Sequence, residues 1–556
     1  LFNQDDWLQT REIIIDIYSK YLRNRKPISL MFWTVAFGVG LVGGFAAVLF
    51  RFSVSWLQEV FYQTDEITLV SKIHDIPWAW ILLLPVLGGL SVGLISHYFS
   101  GEDRNGSVSD VIEGATLNNG RVSLKFGLVS TFVSLVTLTT GGSTGREGPV
   151  VHLAAVISTW ISNFMNAEDI SARDLLGCAV AAAVSASFNA PIAGTLFALE
   201  VILRHFAIHA FAPIAIASVA GTIIGRFFYG NVTEFTLANE TTFAFYSELP
   251  AFMILGLVCG LVSVVFIRTI FLIDDFASKV QHKNNIPIWL RPMVAGFFLG
   301  IIAIKFPHII GVGYETTSNA LTGQFELKTI IIFAIIKVVA VVVTMAGRMG
   351  GGIFSPSLML GALTGLAFGL LATSIFPTAS GSETLYALAG MGAVAAAVLG
   401  APISTTLIVF ELTGNWQVGL AVMAAVSTST ALTSKFVDKS FFLNQLTRRN
   451  LNLINGPQFY LLRNKSVGNI MKKNHSDLID HKNFEKDIFK KNDFIELDNS
   501  LELALHIFEQ DNVDYLFVVR PESEKTISNV IGVLYYLDVL KIYTEVLIKT
   551  SQEEHS

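Results

Sequence analysis

The sequence predicts an all-α, multi-pass membrane protein built from two related halves, followed by a small soluble α/β domain. Three observations carry that reading. Hydrophobic residues fill 52% of the 556 positions and charged ones only 15%, whereas soluble chains carry roughly 25% charge. The charge is gathered at one end, with 31 charged residues in the last 116 positions. Short motifs also recur in the same order in the two halves of the apolar part.

Taken in order, residues 1–28 form a segment carrying Lys20, Arg23, Arg25 and Lys26. Runs long enough to span a bilayer as a helix, about 20 apolar residues, then recur from Ser29 to Phe436. They include Met31 to Phe50, Pro77 to Phe99, Phe211 to Phe228, Ala251 to Leu272, Ile330 to Ala346, Leu358 to Phe376 and Val418 to Phe436. Lys435, Lys439, Arg448 and Arg449 follow the last of them. By the positive-inside tendency both ends are expected in the cytoplasm, with an even number of crossings. The domains expected are 1–28, a membrane domain over 29–450 with repeats at about 29–230 and 250–440, and a cytoplasmic tail over 451–556.

Other apolar stretches are broken by Gly and Pro: Gly141 to Pro149, Ala190 to Gly194 and Gly350 to Pro356. Irregular backbone at membrane depth survives only where protein buries it or water reaches it. These breaks belong to the repeat. Ala179 to Val184 and Ala393 to Val398 spell the same six residues, and Phe188 to Glu200 aligns with Leu399 to Glu411 at Ala190, Pro191, Ile192, Thr195, Leu196 and Glu200. REGP ends 42 residues before Pro191 and IFSP ends 46 before Pro402. Paired interrupted helices in corresponding halves mark transporters whose substrate sits between the halves at mid-membrane.

Gly141 to Pro149 reads as a flexible lead-in with Pro just inside a helix start, a position Pro favours. The first helical N–H groups are unbonded there and the positive dipole end favours an anion. Gly350 to Pro356 repeats the design. Two such starts aimed at one point would hold an anion by backbone N–H groups alone, with no buried lysine required. Glu147, an ionisable group at membrane depth, is a functional residue by default. Ionised, it can occupy an anion site; protonated, it can leave, which makes a gate sensitive to pH and anion concentration. The competing reading pairs it with Arg146 or another buried base as a structural ion pair. Glu200 and Glu411 read as capping or ion-pair residues, with Arg204, Lys337 and Arg348 as partners.

The net charge of −6 offers no basic surface for nucleic acid. Cys178 and Cys259 lie in apolar runs and fit neither a disulfide framework nor a metal site. His152 follows Glu147 by five, unlike the two-His metal helix, and His205 and His209 lack an acidic neighbour. No enzyme, metal or resident cofactor is expected in the membrane domain.

GSTGREGPVVHLAA at 142–155, FNAPIAGTLFALE at 188–200, GGGIFSPSLMLGALTG at 350–365 and GAPISTTLIVFELTG at 400–414 closely resemble the CLC family of chloride channels and chloride/proton exchangers. The resemblance covers roughly 29–450. It implies an inverted-repeat fold of interrupted, tilted helices, working as a homodimer in the cell (inner) membrane with one anion pathway per subunit. Glu147 matches the gating glutamate and Gly145, Arg146, Gly148 and Pro149 its motif. Ile353 and Phe354 match the residues whose backbone N–H groups hold the central anion.

The family's Gly-Ser-Gly-Ile-Pro motif stands here as Gly106-Ser107-Val108-Ser109-Asp110. Ser107 keeps the chloride-contacting hydroxyl, against the nitrate-preferring pattern and, with Pro149, against the fluoride-exporting branch. The central tyrosine falls at Phe442, which donates no hydrogen bond. The inner proton glutamate of many exchangers falls at Val201, which cannot carry a proton. These departures lean the reading toward a gated chloride channel; the alternative is a chloride/proton antiporter with Glu147 as both gate and proton carrier.

From Val467 onward the tail resembles a regulatory CBS module: a helix over Leu501 to Gln510, strands over Tyr515 to Val519 and Val530 to Leu534, and a helix from Leu537. Asp538 matches an acidic residue that touches ribose in nucleotide-binding versions. Tyr535 replaces the usual Ser or Thr, so a dimerisation or docking module is preferred over an ATP sensor.

Overall fold

The computed structural model describes residues 30–449, 451, 462, 465–472 and 494–555, except 65–67, 74–75, 101–103, 166, 168, 207, 231–234, 236–244, 378–381, 512 and 522–528. The segment 1–28 and its basic residues lie outside them. Two compact units emerge, one holding Leu30–Phe206 and Ala210–Leu451, the other holding the described residues of the tail.

The larger unit repeats a sequence of helices. The first half runs α1 (Leu30–Tyr62), α2 (Trp78–Ile95), α3 (Val108–Leu117), α4 (Leu124–Thr139), α5 (Glu147–Phe164), α6 (Asp169–Phe188), α7 (Pro191–Phe197) and α8 (Ile208–Tyr229). The second runs α9 (Phe245–Lys283), α10 (Arg291–Lys305), α11 (Tyr314–Leu321), α12 (Leu327–Ala346), α13 (Phe354–Ile375), α14 (Glu383–Leu399), α15 (Pro402–Thr413) and α16 (Trp416–Phe436). A short helix, α17 (Phe441–Thr447), follows. Each half places its short third helix before a long fourth one, and each sets its fifth helix behind a Gly-rich break.

The matched motifs explain the packing. Ala179 to Ala183 and Ala393 to Ala396 are fully buried, because side chains this small let α6 and α14 sit at the centre of each half. Proline opens both α7 and α15, where its missing N–H costs nothing. Glu200, at the end of α7 in a π-helical turn (Ala198–Leu203), accepts the backbone N–H groups of Ile403 at 3.0 Å and Ser404 at 2.8 Å. Glu411, near the end of α15, accepts those of Ile192 at 3.0 Å and Ala193 at 2.7 Å. Each helix start is thus capped by the other helix's end, which requires α7 and α15 to run antiparallel. The repeat is inverted. The glutamates cap, as expected, but on each other's helix and not on Arg204, Lys337 or Arg348.

Among the described residues, eight helices are long and apolar enough to cross a membrane. Seven match the apolar runs. The eighth, Ile288–Lys305, was hidden by Arg291. That guanidinium is buried, pairing with Asp274 at 2.7 Å and donating to the Ala346 carbonyl at 2.6 Å. Large apolar side chains, Trp33, Phe45, Phe52, Trp56, Phe132 and Phe227 among them, cover the outside. A soluble protein would bury such residues; lipid does not require it.

The tail forms a three-stranded sheet in the order β1 (Phe494–Glu496), β2 (Tyr515–Val519), β3 (Val530–Tyr535), with β1 parallel and β3 antiparallel to β2. Helices α18 (Leu501–Asp511) and α19 (Tyr536–His555) accompany it. Leu501, Leu505, Phe508, Leu516, Val518 and Leu534 share one core. The two later strands and both helices lie within a residue or so of their expected positions. β1 was not foreseen, since its three residues are too few to show alternation.

Candidate functional site

The starts of α5 and α13 are clamped together by their Gly-rich lead-ins. Gly145 N–H donates to the Gly352 carbonyl at 2.7 Å and Gly352 N–H to the Gly145 carbonyl at 2.8 Å. Thr144 Oγ1 adds a bond to the same Gly352 carbonyl at 2.8 Å. Gly351 has φ +130, and a Cβ there would come within 2.1 Å of Thr144 Oγ1. Only glycine admits that backbone and that approach.

Both helices therefore begin at one place in the protein interior. Ile353 precedes α13 as its N-cap residue and is buried, as are Phe354 and Ser355. The N–H groups of Phe354 and Ser355 have no carbonyl four residues back within the helix. At α5 the same holds for Glu147 and Gly148, while Pro149 has no N–H to satisfy. The Phe354 ring packs with Phe188 and Phe197, at 5.0 and 5.9 Å between centroids. Aromatic packing behind the helix start fixes its direction.

Glu147, 3% exposed, folds into this junction. Its Oε1 accepts hydrogen bonds from Ser355 Oγ at 2.5 Å and Tyr314 Oη at 3.2 Å. A Cβ on Gly145 would lie 2.7 Å from Oε2, which has no partner among the described residues. The carboxylate so occupies the space beside the start of α13, where the helix dipole favours negative charge. Arg146 is not its ion-pair partner: the guanidinium lies 4.6 Å over the Tyr314 ring. Tyr314 and Ser355 were missed by sequence reasoning. Ser355 stood inside the IFSP motif; Tyr314 carried no local signal.

Two cations are buried near this junction where none was required. Arg146 and Lys337 are each 1% exposed. Lys337 Nζ donates to the carbonyls of Ile309 and Gly311, both at 3.3 Å, in the loop leading to Tyr314.

On the other side of the junction lies a vestibule of about 690 Å³, lined by Ser107, Gly350, Gly351, Phe441, Gln445 and four arginines, Arg104, Arg348, Arg448 and Arg449, together with Asp274 and Asp275. Ser107 caps α3 in a capping box: its Oγ accepts Ser109 N–H, and its N–H donates to Asp110 Oδ2 at 2.7 Å. Its hydroxyl also donates to Gln445 Oε1 at 3.2 Å. Asp110 pairs with Arg104 and, at 2.9 Å, with Arg449. The altered Ser107–Asp110 loop is thus held by a cap and two arginines. Of α17, Phe441 and Gln445 line the vestibule; Phe442, as buried as Phe441, packs edge-on against it and is not part of that lining. Val201 is buried in the π-helical turn, which packs on α3.

In the tail, Asp538 opens α19 and is paired with Lys472 at 2.9 Å, the same ammonium lying 4.9 Å over the Tyr535 ring. Among the described residues there is no group of three or more His, Cys, Asp or Glu able to hold a metal.

The chain is 30% identical to a ClcB-like chloride channel protein of Ralstonia nicotianae, over 70% of this chain and 90% of that one. It is 29% identical to the H(+)/Cl(-) exchange transporter ClcA of Cronobacter sakazakii, over 77% of this chain and 91% of that one. Its fold is shared with a slow cyanobacterial Cl-/H+ antiporter, at TM-score 0.67 and 21% identity, over 77% of this chain and all of the other. A eukaryotic CLC transporter matches over 92% of this chain and 98% of its own, at TM-score 0.65 and 17% identity. The sequence model of the voltage gated chloride channel family matches residues 88–434, and the chain belongs to that CLC family, among transporters and channels and not among enzymes.

Proposed function

We propose that the chain exchanges chloride for protons across a membrane, with Glu147 as both gate and proton carrier. The observation that carries this is the buried Glu147 carboxylate, held by two hydroxyls at the meeting point of two helix starts. Ionised, it takes the place that an anion would take there. Protonated, it loses its attraction to the helix dipoles and gives way to chloride. Chloride then meets the N–H groups of Gly148, Ile353 and Phe354, with Ser107 at the vestibule side and the vestibule arginines drawing anions in.

Relatives named as exchangers, and a solved antiporter of the same fold, support exchange over the channel toward which Val201 and Phe442 leaned the sequence reading. The channel remains the second reading because Val201 is buried and carries no proton.

The protein works, in this proposal, as a homodimer in the cell (inner) membrane with both termini and the vestibule on the cytoplasmic side. Residues 1–28, 29–450 and 451–556 are its three parts. The tail serves as a CBS-like dimerisation or docking module, in which Asp538 pairs with Lys472.

The test is the reversal potential of purified protein in liposomes, under a chloride gradient with and without an opposing pH gradient. A potential displaced by the pH gradient toward a fixed chloride-to-proton ratio is expected. A potential set by chloride alone overturns exchange in favour of the channel.

A further inference from the structure

We propose that His152 is the station through which protons from the vestibule reach Glu147. The proposal rests on the exchanger reading above. A proton entering from the vestibule must cross buried protein to reach the α5 start, and Val201 offers it no titratable atom.

His152 lies on the same helix as Glu147, five residues on, roughly 7.5 Å further along the axis. Its ring is 1% exposed, and among the described residues neither Nδ1 nor Nε2 has a hydrogen-bond partner. The ring presses on Gly106, where a Cβ would come within 2.3 Å of Cε1 and 2.8 Å of Nδ1. It also abuts Gly127, whose Cβ would lie 3.2 Å from Nε2, and meets the Phe126 ring edge at 6.1 Å. Gly106 itself lines the vestibule. The imidazole therefore packs behind the vestibule wall, on the helix that carries Glu147 and about 140° around its axis from that carboxylate.

The charged groups facing it are of both signs. Asp110 on α3 is the neighbouring carboxylate; Arg104 and Arg449 are the neighbouring cations. Ser130 on α4 approaches the same spot, its Oγ accepting the Gly106 N–H at 2.8 Å. A residue needed only to fill space at this point would be apolar, since burying two unpartnered ring nitrogens costs stability. Imidazole, by contrast, takes a proton on one nitrogen and releases it from the other.

The step balances simply. A vestibule proton adds to a ring nitrogen, giving imidazolium. The imidazolium passes a proton, through water, to the Glu147 carboxylate and returns to neutral imidazole. The neutral carboxylic acid leaves the junction, releases its proton to the far side, and chloride moves the other way. Nothing is oxidised or reduced.

The experiment compares wild-type protein with His152→Gln and His152→Glu in liposomes, reading chloride flux and proton flux separately. Glutamine keeps size and polarity but carries no proton; glutamate carries one. We expect H152Q to hold chloride flux within about twofold while proton flux falls about tenfold or more, moving the reversal potential to the value set by chloride alone. H152E should retain coupling. An H152Q protein with wild-type coupling overturns the proposal while leaving the exchanger reading intact. A wild-type protein without coupling overturns both. Should H152Q fail to fold, His152→Asn against H152E makes the same comparison, with coupling in H152N as the overturning result.

Discussion

Gly145 and Gly352, 207 positions apart in sequence, exchange a pair of backbone hydrogen bonds at 2.7 and 2.8 Å. The exchange is symmetric, as the inverted repeat demands, and it brings the first turns of α5 and α13 to one point. Everything at the candidate site depends on this joint. The dipoles of two long helices reinforce each other only if their starts meet, and the carboxylate of Glu147 reaches Ser355 only across it.

Gly351→Ala tests the joint. The residue has φ +130, and its new Cβ would meet Thr144 Oγ1 at 2.1 Å. Backbone strain of about 1–3 kcal/mol adds to overpacking of about 1–3 kcal/mol. The purified variant should melt at clearly lower temperature than wild type, or fail to yield monodisperse protein in detergent; an unchanged melting temperature would show the joint to be slack.

Glu147→Gln mimics the protonated gate permanently. Chloride flux at neutral pH should rise severalfold and lose most of its pH dependence, while coupled proton movement disappears because glutamine cannot carry a proton. Flux measured from acid to neutral pH in liposomes decides this. A pH profile like that of wild type would remove Glu147 from the gate.

Tyr314→Phe and Ser355→Ala each remove a donor to the Glu147 carboxylate. A hydrogen bond to a charged acceptor contributes about 1.5–3 kcal/mol, and about 1.4 kcal/mol is tenfold in an equilibrium constant. The donors hold the carboxylate in its occupying position, so removing one of them shifts the gate toward its open position. Chloride flux at neutral pH should rise severalfold in either variant, read in liposomes. Unchanged or lower flux would mean that the hydroxyls serve the fold and not the gate.

The parts legible in the sequence were those written in local pattern. Glycine and proline breaks located both helix starts because backbone irregularity at membrane depth needs particular residues. The alanine repeat located α6 and α14, because only small side chains admit such packing. Glu147 was visible because a carboxylate in an apolar context is rare. What stayed hidden was set by contacts distant in sequence: Tyr314 meets Glu147 across 167 positions, and Lys337 is satisfied by carbonyls of a loop 26 and 28 positions away. α10 escaped because Arg291 reads as a break until Asp274 and the Ala346 carbonyl are seen beside it. The caps from Glu200 and Glu411 were half legible, their role following from position and their partners only from the inverted arrangement.

That arrangement yields a prediction about stability apart from transport. Glu200 holds the start of α15 and Glu411 the start of α7, each through two backbone N–H groups. In Glu200→Gln or Glu411→Gln one carboxylate oxygen becomes an NH₂ group that cannot accept, leaving a helix-start donor unsatisfied. Loss of a cap of this kind costs about 0.5–2 kcal/mol. The two caps belong to one antiparallel joint, so the double variant should depart from additivity by more than about 0.5 kcal/mol, the margin within which independent sites add. Thermal unfolding in detergent of the two single variants and the double variant measures that coupling. Strict additivity would mean that the two helices are fixed separately and that their reciprocal capping follows from the fold without holding it together.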